Sequence, residues 1–188
     1  MFRIFAVLAC CGVAQFATGQ DLPRVEVDGG YRFAVIRHEF DWQNYQGWVV
    51  EDVTYVHSRL AIAVAVDGLY RNWTDPNTGN ASELNRRYGL LAGVKVTGSR
   101  GRTVVPFAQM LVGVAKTRTT LRVGSAPEIV ISGSGFAIQP SGGVDVRVTH
   151  AAWVQASFDV RIDQPQYSTS WRYPEWRMGV GLAYFLPR

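Results

Sequence analysis

Cysteine is nearly absent from this 188-residue sequence, and the two that occur, Cys10 and Cys11, are adjacent in the N-terminal segment. The rest of the chain therefore offers no thiols for disulfides or thiolate metal sites. Long apolar runs are missing as well, because the longest in the body, residues 60–66, is far shorter than the ~20 residues of a membrane-spanning helix. The 19 lysines and arginines are scattered, so the net charge of +4 does not indicate nucleic-acid binding. If this chain enters a membrane, it must do so as a closed β-barrel.

The first 19 residues have the organisation of an export signal. Arg3 supplies a positive charge, residues 4–13 form a short apolar run, and Ala17-Thr18-Gly19 fits a small-residue cleavage site. We predict a signal peptide at residues 1–19 and a single domain at residues 20–188. A lipoprotein signal with a lipidated Cys10 is the alternative, although the apolar run before it would be shorter than usual.

Residues 175–186 alternate between two kinds of side chain, as a β-strand with two different faces does. The even positions carry Trp176, Met178, Val180, Leu182, Tyr184 and Leu186, and the odd positions carry Glu175, Arg177, Gly179, Gly181, Ala183 and Phe185. The same period of two predicts strands at residues 25–36, 48–56, 60–70, 88–97, 106–115, 136–148 and 154–162. Alternation is poor in the second of these, where Glu51 shares a face with Val49 and Val53. Pro140 predicts a bulge or a late strand start.

Segments rich in polar and turn-forming residues separate the strands. Long loops are predicted at residues 37–46, 71–87, 117–135 and 163–174, although residues 128–131 could extend a hairpin. The other connections are short, so every long connection follows an odd-numbered strand, as in outer-membrane barrels. We therefore predict an all-β fold, an eight-stranded antiparallel up-and-down transmembrane β-barrel with both termini in the periplasm.

The less apolar strand faces combine small residues with charges of both signs, which favours a barrel interior over a water-exposed surface. A lumen of paired charges is predicted from Glu26, Asp28, Arg32, Asp67, Lys95, Asp145, Arg147, Asp159, Arg161, Glu175 and Arg177. Aromatic residues near strand ends are typical of membrane interfaces, and Trp48, Tyr70, Tyr88, Trp176 and Tyr184 are the candidates. The alternative is a soluble periplasmic ligand-binding barrel with the two faces inverted and these aromatics in its core.

Three stretches carry a resemblance to a known family: VVPFAQMLVGVA at residues 104–115, GGVDVR at 142–147 and RMGVGLAYF at 177–185. Together they resemble the small eight-stranded outer-membrane β-barrel family, which includes the OmpA transmembrane domain. The terminal strand of that family usually ends the chain on an aromatic residue, whereas here Phe185 is followed by three more residues. The resemblance implies a Gram-negative outer membrane, contact with its lipid and lipopolysaccharide, and insertion by the barrel assembly machinery.

The resemblance also implies a structural, adhesive or interaction role more often than catalysis, with an extracellular ligand at the loops. A narrow porin-like channel is an alternative function, and lipid A modification is a weaker one. His38 beside Glu39 is the best-placed candidate for such an enzyme, but the sequence shows no nucleophile to complete a triad. Asp75, Asn80 and Glu83 offer oxygen ligands without the spacing of a calcium loop. We expect no catalytic, cofactor or metal site and no nucleic-acid partner.

Overall fold

The computed structural model describes residues 25–38, 41–75, 80–99, 102–165 and 174–186. The eight strands are β1 Val25–His38, β2 Asp41–Tyr55, β3 Leu60–Thr74, β4 Ala81–Thr97, β5 Val104–Val123, β6 Ile129–Arg147, β7 Ala152–Pro165 and β8 Glu175–Phe185. Each pairs antiparallel with its neighbours in the chain, and β1 pairs with β8 to close the barrel. The predicted fold class and the up-and-down topology are therefore confirmed. Within the described segments, no helix has the length and apolar character needed to cross a membrane. The predicted signal at residues 1–19 and its Cys10 alternative lie outside the described residues.

The pairing registers fix the size of the barrel. One circuit of paired residues runs Gly142, Phe158, Met178, Phe33, Gln46, Tyr70, Arg86, Arg118 and Ser132. The circuit starts on β6 at Gly142 and returns to β6 at Ser132, a stagger of ten residues. Eight strands with this stagger tilt by about 40° and enclose a cylinder of about 8 Å radius at the backbone. Side chains alone can fill so narrow an interior.

The two faces of the sheet differ as the alternation predicts. Inward-facing residues such as Ala34, Ala61 and Lys95 are completely buried, while Val180 and Leu182 on the outer face are 60% and 63% exposed. Large apolar side chains are exposed on every strand, far beyond what a water-soluble surface carries. The alternative with inverted faces is therefore wrong.

We call the end where β1 connects to β2 and β3 to β4 the upper end, and the opposite end the lower end. On β8 the outward apolar positions run from Trp176 at the upper end to Leu186 at the lower end. At a rise of about 2.5 Å per residue along the axis of a tilted barrel, they cover about 25 Å. This matches the height of the apolar band on outer-membrane barrels.

The predicted loop at residues 37–46 is wrong, because β2 begins at Asp41 and pairs with β1 as far as His38. Alternation continues through this segment: Tyr45 is 3% exposed, whereas Trp42 is 57% exposed. The outward positions are mostly polar because they lie above the apolar band, and a polar outer face makes a strand resemble a loop in the sequence.

The predicted loops at residues 71–87 and 117–135 are also mostly strand. β3 continues to Thr74, β4 begins at Ala81, β5 continues to Val123 and β6 begins at Ile129, so the idea that residues 128–131 extend a hairpin is essentially confirmed. These extensions pair with one another, for example at Asn85 and Thr119, whose side chains are joined by a 3.1 Å hydrogen bond. We call residues 71–74, 81–87, 116–123 and 129–135 the projecting sheet. The connections after β1, β3 and β5 are consequently much shorter than predicted, whereas the one after β7 is only slightly shorter.

The bulge or late start predicted at Pro140 is wrong. β5 pairs with β6 continuously through Met110 and Pro140. On the other side, β6 and β7 pair at Ile138 with Ile162 and again at Ser141 with Asp159, in one unchanged register. Proline has no N–H to donate to the ladder, so pairing with β7 is interrupted locally without an inserted residue.

Candidate functional site

The middle of the lumen is organised around Asp67 on β3. Its carboxylate accepts a 2.8 Å hydrogen bond from Arg177 Nη2 and a 3.1 Å bond from Arg161 Nη1, with Arg161 Nη2 in closer contact still. Gln139 Oε1 accepts from the same two guanidiniums at 2.9 Å each, through Arg161 Nε and Arg177 Nη1. All four side chains are at most 2% exposed. Gly89 makes room for this cluster, since a Cβ there would lie 2.7 Å from Arg161 Nη1 and Asp67 Oδ2.

Three further ion pairs connect strands that are not neighbours, at and above this level. Arg32 on β1 contacts Asp159 on β7, and both are at most 3% exposed. Nearer the upper end, Arg87 binds Asp163 through a 2.9 Å contact and also contacts Glu175. Because these pairs join strands that are not neighbours in the sheet, they bridge the interior from wall to wall.

The lower half of the lumen is centred on Lys95, whose ammonium lies 2.8 Å from Glu26 and 3.4 Å from Asp28. The same ammonium lies 4.7 Å from the centroid of the Phe107 ring, and the Tyr55 hydroxyl donates a 2.8 Å hydrogen bond to Glu26.

Amide side chains complete the lower half. Gln155 donates to Asp28 at 3.4 Å and to Asp145 at 3.2 Å, and Gln109 donates to Glu51 at 3.2 Å. The lower half is therefore a continuous set of polar contacts in which one lysine faces several carboxylates.

Carboxylates outnumber cations among the buried residues that the structure describes. The eight acids are Glu26, Asp28, Glu51, Asp67, Asp145, Asp159, Asp163 and Glu175, and the five bases are Arg32, Arg87, Lys95, Arg161 and Arg177. Such charges remain inside only when they are paired and hydrogen-bonded. An ion entering this interior would therefore meet a plug of fixed side chains in which acids outnumber bases.

Ten of the eleven predicted lumen residues are buried in the barrel. The eleventh, Arg147, is half-buried at the lower end, with its guanidinium carbon 5.5 Å from the centroid of the Trp153 ring. Sequence reasoning missed Glu51, although its shared face with Val53 places it inside. It also missed Arg87 and Asp163, because both fell in predicted loops.

The predicted interface aromatics lie on the outer face, but only Trp176 and Tyr184 lie near strand ends as predicted. Trp48 and Tyr88 lie in the middle of β2 and β4, because those strands continue above the apolar band. Trp48 Nε1 donates a 3.2 Å hydrogen bond to the Tyr70 hydroxyl, and the Tyr70 and Tyr88 rings meet edge to face at 6.0 Å. Trp176 lies nearby on the circumference, 5.8 Å from Phe158. These residues form what we call the aromatic ring, at the upper edge of the apolar band. Tyr184, 48% exposed, lies near the lower end.

Above the aromatic ring, the projecting sheet changes character on both faces. The face that continues the lumen side carries apolar residues that are exposed or, for Leu121, half-buried. We call them the apolar patch: Trp73, Leu121, Val123, Ile129 and Ile131. The opposite face carries exposed cations, and we call Arg86, Lys116 and Arg118 the basic patch. Ile129 and Ile131 are each 57% exposed. A contiguous apolar surface above the lipid-facing band is typical of a protein-binding surface.

The other sequence candidates do not form a recognisable site among the described residues. The His38 side chain, Glu39 and residues 76–79 lie outside the described residues. His57 is exposed in a turn, with Nδ1 3.2 Å from the Ser58 hydroxyl, and Glu83 lies 3.7 Å from Arg71. Within the described segments, no group of three or more His, Cys, Asp or Glu residues is arranged to hold a metal ion.

No protein-family model matches the sequence, and no curated protein matches it either. The fold is nevertheless shared with solved structures. The chain is similar to Ail, the attachment invasion locus protein of Yersinia pestis, with a TM-score of 0.67 and 11% identity over 88% of this chain and 100% of Ail.

A second structure of Ail, in complex with the heparin analogue sucrose octasulfate, gives a TM-score of 0.64 and 11% identity over 87% of this chain and 100% of that one. Neisserial surface protein A gives 0.64 and 10% identity over 85% of this chain and 96% of that one. These neighbours are small eight-stranded outer-membrane barrels, so the chain has the fold of that structural class and the predicted resemblance is confirmed.

Proposed function

We propose that this chain is a non-enzymatic outer-membrane protein whose barrel anchors the projecting sheet at the cell surface, where the apolar patch binds a partner protein. The observation that carries the proposal is the position of the patch. Ile129 and Ile131 lie above the apolar band, where lipid does not cover them, yet both are 57% exposed. Exposed apolar surface of this kind is stabilised when a partner covers it.

Two independent features support an outer-membrane location. The outward apolar band is about 25 Å high, and the N-terminal 19 residues have the pattern of an export signal. Short lower turns support an orientation with both termini in the periplasm and the projecting sheet outside. Insertion by the barrel assembly machinery and contact with lipopolysaccharide belong to the same proposal.

The lumen has a structural role in this proposal. Asp67, Arg161 and Arg177 interlock at the middle of the interior and are at most 2% exposed. A narrow porin-like channel would require these side chains to separate, which is costly because each charge would lose its partner in a desolvated interior. The lumen network therefore supports a closed anchor rather than a pore.

The projecting sheet is better suited to an adhesive role than the short connections are. The similar Ail protein is named for attachment and invasion, and its structure is known in complex with a heparin analogue. In our chain, the corresponding role would depend on a paired sheet whose position is set by strand registers. Such a surface is preorganised, which lowers the entropy lost on binding.

The test is attachment of cells that carry the protein in their outer membrane, on a non-adherent host strain, to immobilised extracellular-matrix proteins. The variant Ile129→Ser/Ile131→Ser removes two exposed apolar side chains from the patch. If each contributes about 1 kcal/mol to partner burial, attachment falls about tenfold or more. Val130→Ser is the matched control, because Val130 is 46% exposed on the opposite face of the same strand.

Migration of unboiled and boiled samples on a gel shows whether each variant is folded. The proposal holds if the double variant loses attachment while Val130→Ser keeps it. Equal attachment of wild type and double variant, or no attachment by the wild-type protein, would contradict it.

A further inference from the structure

The basic patch contains a local electrostatic conflict. Arg86 on β4 is directly opposite Arg118 on β5, and Lys116 occupies the preceding outward position on β5. All three side chains are exposed on the outer face of the sheet. Like charges directly opposite each other on antiparallel strands destabilise the pairing. A bound anion between them would remove this repulsion.

Two acids in or next to the projecting sheet are paired with other cations. Glu83 pairs with Arg71 at 3.7 Å on the opposite face, and Glu128 pairs with Arg122 at 3.5 Å in the connection above. Among the described residues, neither Arg86, Lys116 nor Arg118 has a carboxylate within ion-pair distance. The neighbouring outward positions on β6 are the small residues Ser132 and Ser134, which leave the cations accessible from the side.

The patch begins where the aromatic ring ends. Tyr88 is the next outward residue below Arg86 on β4, and it pairs with Lys116. Tyr70 pairs with Arg86 from the other side. With about 2.5 Å of height per residue, the three cations lie within about 10 Å above the ring. Belts of Trp and Tyr residues mark the interface of a bilayer. The basic patch, just above such a belt, therefore faces the layer that holds lipid headgroups.

We propose that the basic patch binds a phosphate group of lipid A in the outer leaflet. Two guanidiniums can each donate a pair of parallel hydrogen bonds to phosphate oxygens, and the lysine adds a point charge. The phosphate bridges Arg86 and Arg118 and removes their repulsion, while the acyl chains lie along the apolar band below. This inference rests on the proposed outer-membrane location, but it does not depend on the adhesive role of the apolar patch.

The experiment extracts the protein from outer membranes in mild detergent and measures the lipid A retained per barrel by mass spectrometry. The variant Arg86→Gln/Arg118→Gln keeps the size and hydrogen-bonding groups of the side chains but removes both charges. We expect its lipid A retention to fall about tenfold, because charge-assisted hydrogen bonds are lost. The control Arg59→Gln/Arg102→Gln makes the same charge change at exposed positions of the lower end and keeps wild-type retention.

A second arm adds purified lipid A, with or without its phosphates, to delipidated protein. Only the phosphorylated lipid should bind the wild-type protein better than the double variant. The inference is overturned if wild type and double variant retain equal amounts of lipid A. It is also overturned if the wild-type protein binds dephosphorylated lipid A as well as it binds the phosphorylated lipid. Patch-dependent binding of heparin without patch-dependent binding of lipid A also overturns it, because the anion would then be a sulfated polysaccharide. Fractionation, which places the protein in or outside the outer membrane, reports separately on the proposed function.

Discussion

Replacing Asp67 by asparagine tests whether the lumen network holds the barrel together. The substitution keeps the shape of the side chain but removes the charge that faces Arg161 and Arg177, which are 2% and 0% exposed. Each charge pair at a separation of about 4 Å contributes about 4 kcal/mol at an effective dielectric constant of 20, before desolvation is subtracted. Breaking a buried pair costs about 3–5 kcal/mol in practice, because the remaining cations stay buried without a partner. We expect Asp67→Asn to lower the free energy of unfolding by that amount.

Urea unfolding of the protein in lipid vesicles, followed by tryptophan fluorescence and gel migration, measures this loss. Glu128→Gln is the matched control, since Glu128 lies 3.5 Å from Arg122 with side chains 44% and 65% exposed. An exposed pair of this kind contributes about 0–1 kcal/mol. If Asp67→Asn costs no more than Glu128→Gln, the central cluster does not stabilise the barrel and the argument for a fixed plug fails.

Two further predictions follow from the same interior. Gly113→Ala should lower the free energy of unfolding by about 1–3 kcal/mol, since its Cβ would overlap the backbone carbonyl oxygen of Leu90 on β4. Gly133→Ala is the control, because its added Cβ has no neighbour within 4 Å, and it should change the free energy of unfolding by less than about 0.5 kcal/mol. Comparable losses for the two variants in urea unfolding would contradict the close contact between residue 113 and Leu90. In planar bilayers the wild-type protein should show no steady conductance, whereas Arg161→Ala/Arg177→Ala should open a cation-preferring path, because the eight buried acids would then face three bases. A wild-type conductance equal to that of the variant would refute the closed lumen.

The sequence predicts the number of strands, the topology and which face each residue lies on, because period-two alternation holds along the apolar band. Strand ends were predicted less well for a physical reason. Above the aromatic ring, water covers the outer face, so polar residues such as Asn72 and Arg86 no longer distinguish a strand from a loop. The projecting sheet, which includes Arg87, therefore falls within segments that the sequence predicts as loops.

The pairings inside the lumen could not be derived from the sequence. Arg32 and Asp159 are 127 positions apart, and they meet because the ten-residue stagger brings β1 and β7 to matching heights. Knowing which face each residue lies on identifies the inward charged residues, but it does not show which acid pairs with which base. Glu51 shows that an acid among valines can be a lumen residue when it occupies an inward-facing position of the strand.

The outer face itself records where the bilayer ends, and this gives a last prediction. Outward residues change from Tyr88 to Arg86 on β4, and from Phe136 to Ser134 on β6. Both changes occur at the aromatic ring, so the membrane boundary should cross the strands there. Residues above that line should be reachable from outside an intact cell, and residues below it should not.

Single cysteines can locate the boundary cleanly, because Cys10 and Cys11 lie in the predicted signal and the remaining chain has no thiol. Ser132→Cys, above the line, should react with a membrane-impermeant maleimide on intact cells. Val112→Cys faces the apolar band and His150→Cys lies in a lower turn, so neither should react until the cells are opened, and Val112→Cys should remain slow even then. Labelling of His150→Cys on intact cells would show that the barrel has the opposite orientation. The projecting sheet would then not lie at the cell surface.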